Sequence, residues 1–328
     1  MSGMLSRTLR VCSVVLVAAA VAAAHQVIRA QAPENSEAML TYSRGQAVLP
    51  VYEGWHPNPD GTVDLWFGYL NQNYREEPDL AIGPENDVSA PYGPDGGQPT
   101  HFLPRNNRWV FAVRVPKDFG DKEVIWTLTS KGKTFRAYAT LKPAYLHDDV
   151  GLSREFFGDA PAGGNQPPSI SLEGADRRTL EVGEAATLAI TATDDGVPRA
   201  ANRNAQQGAN RNNRPRTSIC GENTNIFFCG EPNEGAGNLF SVKGFRMACF
   251  PYRGDARNIT FDPPQEKVWE DHRGGSPWAS GYALPPIPKD NKWIIHASFK
   301  QPGTYVVRCQ AHDGLLVTNQ NVTFTVQP

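Results

Sequence analysis

The most definite chemistry in this 328-residue chain belongs to four of its five cysteines: Cys220, Cys229, Cys249 and Cys309. An even number of cysteines in an oxidising compartment suggests two disulfides, with three pairings open. Cys220 and Cys229 lie close in sequence, which suits a local loop staple. Cys249 and Cys309 each sit in a strand-like run, and a bond between them closes a loop of about 60 residues, worth about 4 kcal/mol in the chain-entropy model. A four-cysteine zinc site is the competing reading, but these spacings lack the close C-x2-C ligand pair it needs.

Oxygen ligands and aromatic rings form two further sets. Asp194, Asp195 and Asp313 fall at the ends of strands expected to emerge at one edge of a sandwich, where hard oxygens can hold calcium. The competing role for such acids is turn formation, with each side chain bonding a nearby amide. Trp55, Trp66, Tyr69 and Tyr74 cluster early in the chain, and exposed Trp or Tyr rings are one means by which a β-sandwich holds sugar rings. Trp66 and Phe67 are neighbours on one strand, so they point to opposite faces and one of them belongs to the core. Trp269, Trp278 and Trp293 flank the Pro-rich stretch 277–288 and read as anchors for that loop.

The catalytic signatures are absent. The seven histidines show neither H-x-H nor H-E-x-x-H spacing, and Glu270-Asp271-His272 has no serine elbow or second carboxylate pattern to complete a site. No Gly-rich phosphate loop occurs. Arg253-Gly254-Asp255 spells an integrin-binding tripeptide, which turn chemistry at Gly-Asp explains equally. These residues point to a non-catalytic protein, with an enzyme of unrecognised site as an alternative.

The elements that must position these groups begin with a leader. Arg7 and Arg10 precede residues 11–24, which contain only Val, Ala, Leu, Cys and Ser. This is a positive n-region, a short apolar h-region and a small-residue cleavage context, and residues 1–24 read as a signal peptide. An uncleaved anchor is the competing reading, although a span needs about 20 apolar residues. The protein is thus expected to be exported, periplasmic or extracellular. Removal takes two arginines and no acid, so the formal net charge of −2 becomes −4. No global field marks a nucleic-acid binder.

The mature chain reads as strand, turn, strand. Gly and Pro number 30 and 27, a turn-rich composition, and no helical apolar stripe is visible. Residues 25–40 read as a flexible leader. Runs at 47–54 and 62–71 flank the turn signal Asp60-Gly61, and runs at 108–116, 122–130 and 134–141 follow. Residues 41–147 therefore read as a first all-β sandwich domain. Its segment 74–104 is long for a structureless loop. It is expected either to hold short strands, such as 79–82 and 100–103, or to be an exposed binding loop. Residues 148–166, which contain Gly163-Gly164 and lead to Pro167-Pro168, read as a linker.

Residues 167–328 read as a second sandwich, with runs at 169–172, 178–182 and 186–192. Asn165-Gln166-Pro167-Pro168-Ser169-Ile170-Ser171-Leu172, Val182-Gly183-Glu184 and Ala192-Thr193-Asp194-Asp195-Gly196 resemble the opening of PKD-type and related immunoglobulin-like domains of secreted bacterial proteins. Phe299-Lys300-Gln301-Pro302-Gly303-Thr304-Tyr305, Ala311-His312-Asp313-Gly314 and Val322-Thr323-Phe324-Thr325-Val326 are similar to that family's last two strands. The resemblance implies a PKD/Ig-like fold and is nearly silent on function. The first domain is similar to an amino-terminal β domain of secreted bacterial proteins through Trp66-Phe67-Gly68-Tyr69-Leu70-Asn71-Gln72-Asn73, Ile82-Gly83-Pro84-Glu85-Asn86 and Gly97-Gln98-Pro99-Thr100-His101-Phe102-Leu103-Pro104. It implies no activity.

The second domain departs from its family at 199–217, which carries five arginines and no acid. It reads as a disordered insertion, because it has almost no large apolar residue to bury. Without interleaved aromatics it lacks the stacking of a single-strand binder, so no nucleic-acid partner is expected. The expectation is two tandem all-β sandwiches, the second PKD/Ig-like with a long loop insertion, acting in binding, adhesion or scaffolding. A protein or glycan partner at the cell envelope is implied, with membrane contact only through an uncleaved N-terminal segment. No cofactor is expected beyond calcium; a carbohydrate-binding protein using the first-domain aromatics is the alternative.

Overall fold

Alternation of apolar and polar residues dictates most of the strands. In a computed structural model, which describes residues 42–146, 166–197, 244–265, 286–313 and 316–328, fourteen strands account for nearly all regular structure. The signal peptide, the leader 25–40, nearly all of the linker, the insertion 199–217, Cys220, Cys229, Trp269 and Trp278 lie outside the described residues.

The first sandwich packs two three-stranded sheets. One is ordered β1 (Val48–Pro57), β2 (Val63–Asn71), β4 (Arg105–Val115), and the other β3 (Asn86–Val88), β5 (Val124–Ser130), β6 (Lys133–Ala139). β1 and β2 are joined through Asp60-Gly61, where Asp60 Oδ1 accepts the Thr62 N–H at 2.9 Å and Gly61 takes φ 85°. β5 and β6 are joined by Lys131 and Gly132, both at positive φ, as a twist-matched two-residue hairpin requires. Strict alternation in β5 buries Val124, Trp126 and Leu128. Phe67, stacked on Phe111 and edge-on to Trp126, completes the centre of the core.

The second sandwich has two four-stranded sheets. They are ordered β10 (Arg246–Arg253), β13 (Gly303–His312), β14 (Val317–Gln327), β8 (Arg177–Glu181), and β11 (Ile259–Asp262), β12 (Lys292–Phe299), β9 (Ala185–Thr193), β7 (Ser169–Leu172). All pairings are antiparallel except β8 with β14, and the core lies between the sheets around Leu188, Ile295, Phe299, Val307 and Phe324. Both bodies are β-sandwiches, the second Ig-like.

Segment 74–104 is folded, with Asn86, Val88, Gln98, His101 and Phe102 buried and its turns exposed. Asp79 bridges to His101, β3 pairs with β5, and two buried amides hold the remaining backbone. Asn86 donates to the carbonyls of Leu80 and Pro99 and accepts the Trp126 indole N–H. Gln98 donates to the Asn86 and Pro94 carbonyls and accepts the Gly96 N–H. Both side chains belong to the motifs that resembled the secreted β domain, and both satisfy loop groups that water cannot reach. The strands expected at 79–82 and 100–103 are reduced to the one Asp79–His101 bridge, the segment's strand is β3, and residues such as Glu85, Asp95 and Gly97 remain exposed.

Candidate functional site

The cysteine expectation is met where the structure describes it. Cys249 and Cys309 face each other across β10 and β13, are disulfide-bonded with Cα atoms 3.9 Å apart, and are fully buried. The bond is cross-strand within one sheet. Cys249 also donates its N–H to Gln265 Oε1 at 3.2 Å, which covers an outward amide on the free edge of β10.

The three acids act in turns. Asp194 Oδ2 accepts the Gly196 N–H, and Asp195 accepts from Val197 and from Gln166. Asp313 accepts the Leu316 N–H at 2.7 Å. Burial lifts the Asp194 carboxyl above its ordinary range. Among the described residues no three His, Cys, Asp or Glu side chains converge as a cation cage requires.

The aromatic set needs correction. Tyr69 is 3% exposed, packs edge-on against Phe102 and accepts the Leu103 N–H; it is a core residue and offers no face to a sugar. Trp55 donates its indole N–H to the Lys142 carbonyl, and Tyr74 lies under the Arg105 guanidinium at 4.2 Å. Trp66 is half-buried on the face opposite Phe67 and meets Trp109 edge-on at 6.2 Å. No coplanar pair forms within this set. Trp293 packs against Phe245.

An assembly of polar groups that sequence reasoning missed lies at the junction of the two sandwiches. A bulge in β10 leaves Tyr252 without a register partner on β13 and re-aims its ring, which packs with the first core. Its hydroxyl donates to the Gly97 carbonyl at 2.6 Å, and its own carbonyl accepts the N–H groups of Thr100 and His101. Arg253 grips both Asp95 oxygens at 2.9 and 2.7 Å and donates Nε to the Gln98 carbonyl. Gly254, at φ 94°, brings its N–H to Thr100 Oγ1; a Cβ there would meet Tyr305 Cδ1 at 2.7 Å. Asp255 accepts from Arg257 in the 3-10 turn that follows. The Arg-Gly-Asp tripeptide is thus occupied in joining and turning.

Two further cations complete the junction. His101 is bonded through Nδ1 to Asp79 at 2.9 Å and through Nε2 to Glu77 at 3.0 Å. Burial pushes its imidazole down, but the two carboxylates outweigh this and lift it to about 9, so it is an imidazolium at neutral pH. Arg308 projects outward from β13, opposite to its buried neighbours Val307 and Cys309, and is 6% exposed because the first sandwich covers it. It donates to Asn321 Oδ1 at 2.8 Å and to the Val110 carbonyl, and lies 3.5 Å over the Tyr252 ring. Between the two bodies runs a cleft of about 10 Å³, lined equally from both. That volume is close to one water.

The polar groups of this junction serve to hold two sandwiches together. No family model matches the sequence, and no curated protein matches it. Solved structures with similarity include the S-layer protein rSbsC(31-844), at 9% identity and TM-score 0.20, covering 81% of this chain and 23% of that one. The chain therefore spans about a quarter of that relative's length. The D00-D0 domain of intimin matches at 9% identity and TM-score 0.23, over 85% of this chain and 99% of that chain. The Yersinia pseudotuberculosis adhesin InvE matches at 10% identity and TM-score 0.20, over 86% and 60%. Similarity at this level carries no functional transfer.

Proposed function

We propose that this is an exported, non-catalytic binding or scaffolding protein in which two β-sandwiches act as one stiff body. The observation supporting the reading is the junction: Arg253, the Gly254 N–H, Arg308 and the Tyr252 hydroxyl all bond across from the second sandwich to the first. A protein in which a buried polar network fixes the relative position of two modules presents surfaces at a set spacing. In this reading the chain carries a cleaved signal peptide, works in the periplasm or outside the cell, and engages a protein or glycan partner of the envelope. The PKD-type character of the second sandwich is part of the same proposal, supported by the motifs at 165–196 and 299–326.

The test is fractionation of cells producing the tagged full chain, with cross-linking in intact cells. Recovery outside the cytoplasm, cross-linked to a discrete envelope partner, is the expected result. Recovery in the cytoplasm overturns the reading. Glycan-array binding lost in Trp66→Ala would move it to the carbohydrate alternative.

A further inference from the structure

The outer strands of the four sheets differ in how their edges are guarded. A strand edge offers unpaired N–H and C=O groups to any extended chain, and folded proteins blunt it by shortness, proline, bulges or a covering group. Among the described residues, all but one of the outer strands carry such a device. β3, β7 and β11 span only three or four residues. β1 holds Pro50 and a bulge, and β4 is bulged opposite Gly68 and gives its Val110 carbonyl to Arg308. In β10, Pro251 lacks an N–H and Gln265 takes that of Cys249. In β8, the Glu184 carboxylate takes the N–H of Glu181. β6 is the exception: seven residues in unbroken register with β5, without proline, glycine or bulge.

Register fixes which groups of β6 face outward. Lys131 and Gly132 form a two-residue turn, so Ser130 and Lys133 are a hydrogen-bonded pair and every second pair after them is bonded likewise. Thr134, Arg136 and Tyr138 take the intervening positions, opposite Thr129, Thr127 and Ile125. Their N–H and C=O groups therefore point away from β5, in phase with the Thr129 N–H, which bonds Glu85 on the far side of β5. Among the described residues none of these edge groups has a partner. The bonds that tie β1 to this flank go to Ser130 Oγ and to the Thr140 and Lys142 carbonyls, beyond either end of β6. Thr134, Arg136 and Tyr138 are exposed, Tyr138 at 50%. Lys131 is paired with Glu76, whereas Lys133 and Arg136 have no carboxylate partner among the described residues.

We propose that β6 is a docking edge at which an extended acidic segment of a partner protein adds as a further strand. Its backbone pairs with Thr134, Arg136 and Tyr138, and its carboxylates meet Lys133 and Arg136. A second copy of this chain is the wrong occupant, because two β6 edges bring like charges together. The inference deepens the proposed function by giving the protein partner a surface and a chemistry, and it rests on that reading for a partner to exist.

The experiment follows amide hydrogen exchange of the purified full chain, residue by residue, with the capped peptide Thr-Val-Glu-Val-Glu-Val-Thr as probe and a counterpart in which lysine replaces both glutamates. The amides of Thr134, Arg136 and Tyr138 are expected to exchange freely without peptide, to slow by about tenfold with the acidic peptide, and to stay fast with the basic one. Thr134→Pro removes an N–H that β5 does not use, so the protein should still fold while protection at Arg136 and Tyr138 is lost. Arg136→Glu keeps the backbone and should weaken the acidic peptide about tenfold while admitting the basic one. Three amides already protected in the free chain, no protection with either peptide, protection confined to other residues, or equal protection by both peptides overturns the inference. These outcomes concern β6 in the purified protein, so they leave the export and scaffolding reading standing, which cell fractionation tests separately.

Discussion

Arg253 and Asp95 form a bidentate pair across the two sandwiches, with guanidinium nitrogens 2.9 and 2.7 Å from the two carboxylate oxygens. The same guanidinium donates Nε to the Gln98 carbonyl, so three bonds from one side chain cross the junction. Asp95 is half exposed, and exposed ion pairs alone contribute little. Arg253→Ala is therefore expected to cost about 1–2 kcal/mol, chiefly through the lost geometry and the carbonyl contact. Calorimetry should show this as a lower melting temperature, and small-angle scattering as a broader distribution of shapes. An unchanged scattering profile together with an unchanged melt would remove the pair from the account of stiffness.

The junction should also respond to pH at both ends. His101 titrates near 6.5 when unfolded and at about 9 when folded. Its stabilisation is whole below about pH 6.5 and is lost as pH rises through about 9. A loss of about 2 kcal/mol is expected across that window, since the two partner carboxylates are partly solvated. Asp95 acts in the opposite sense: the Arg253 bonds hold its carboxyl below the ordinary value, so its contribution is present above about pH 4 and fades on further acidification. Melts at neutral and alkaline pH check the first point. His101→Gln should flatten the alkaline limb.

Strand positions followed from alternation because each strand has one buried face, as Val124, Trp126 and Leu128 illustrate. The cross-strand cystine was legible for the same reason, since both cysteines occupy inward positions of strand-like runs. The junction was not legible. Arg308 and Gln310 stand at outward positions of β13, where alternation predicts solvent, and only the covering first sandwich buries them. Tyr252 is placed by a bulge, which shifts the pattern with no residue type to announce it. His101 carried no ligand spacing because its partners, Glu77 and Asp79, come from the far end of a folded loop.

The cystine predicts a large stability term. Its two cysteines are 60 residues apart in sequence, and closing such a loop restricts the unfolded chain by about 4 kcal/mol in the entropic model, with measured values of 2–4 typical. The double variant Cys249→Ala, Cys309→Val keeps the strand pair apolar and should lower the unfolding free energy measured in urea by that amount. Reductant added to the folded native protein should have little effect, because both sulfur-bearing residues are fully buried. Rapid reduction without denaturant would contradict the buried placement.

Gly68 offers the sharpest test of the first sandwich. The β2–β4 register breaks between Phe67 and Tyr69, and Glu53 lies at a second break in β1. Glu53 is 8% exposed and is paired with Arg108 Nε at 2.9 Å. A Cβ on residue 68 would stand 2.3 Å from Glu53 Oε1 and 2.6 Å from the Asn107 carbonyl. The carboxylate could swing away only by leaving a buried ion pair, and the carbonyl is backbone and cannot yield. Gly68→Ala is therefore expected to destabilise by about 3 kcal/mol, although alanine is otherwise the better residue in a strand interior. Adding Glu53→Gln relieves the charge but not the backbone clash, so the double variant should recover only part of the loss. Full recovery in urea unfolding would show that the carbonyl gives way and that the side chain alone requires glycine at this position.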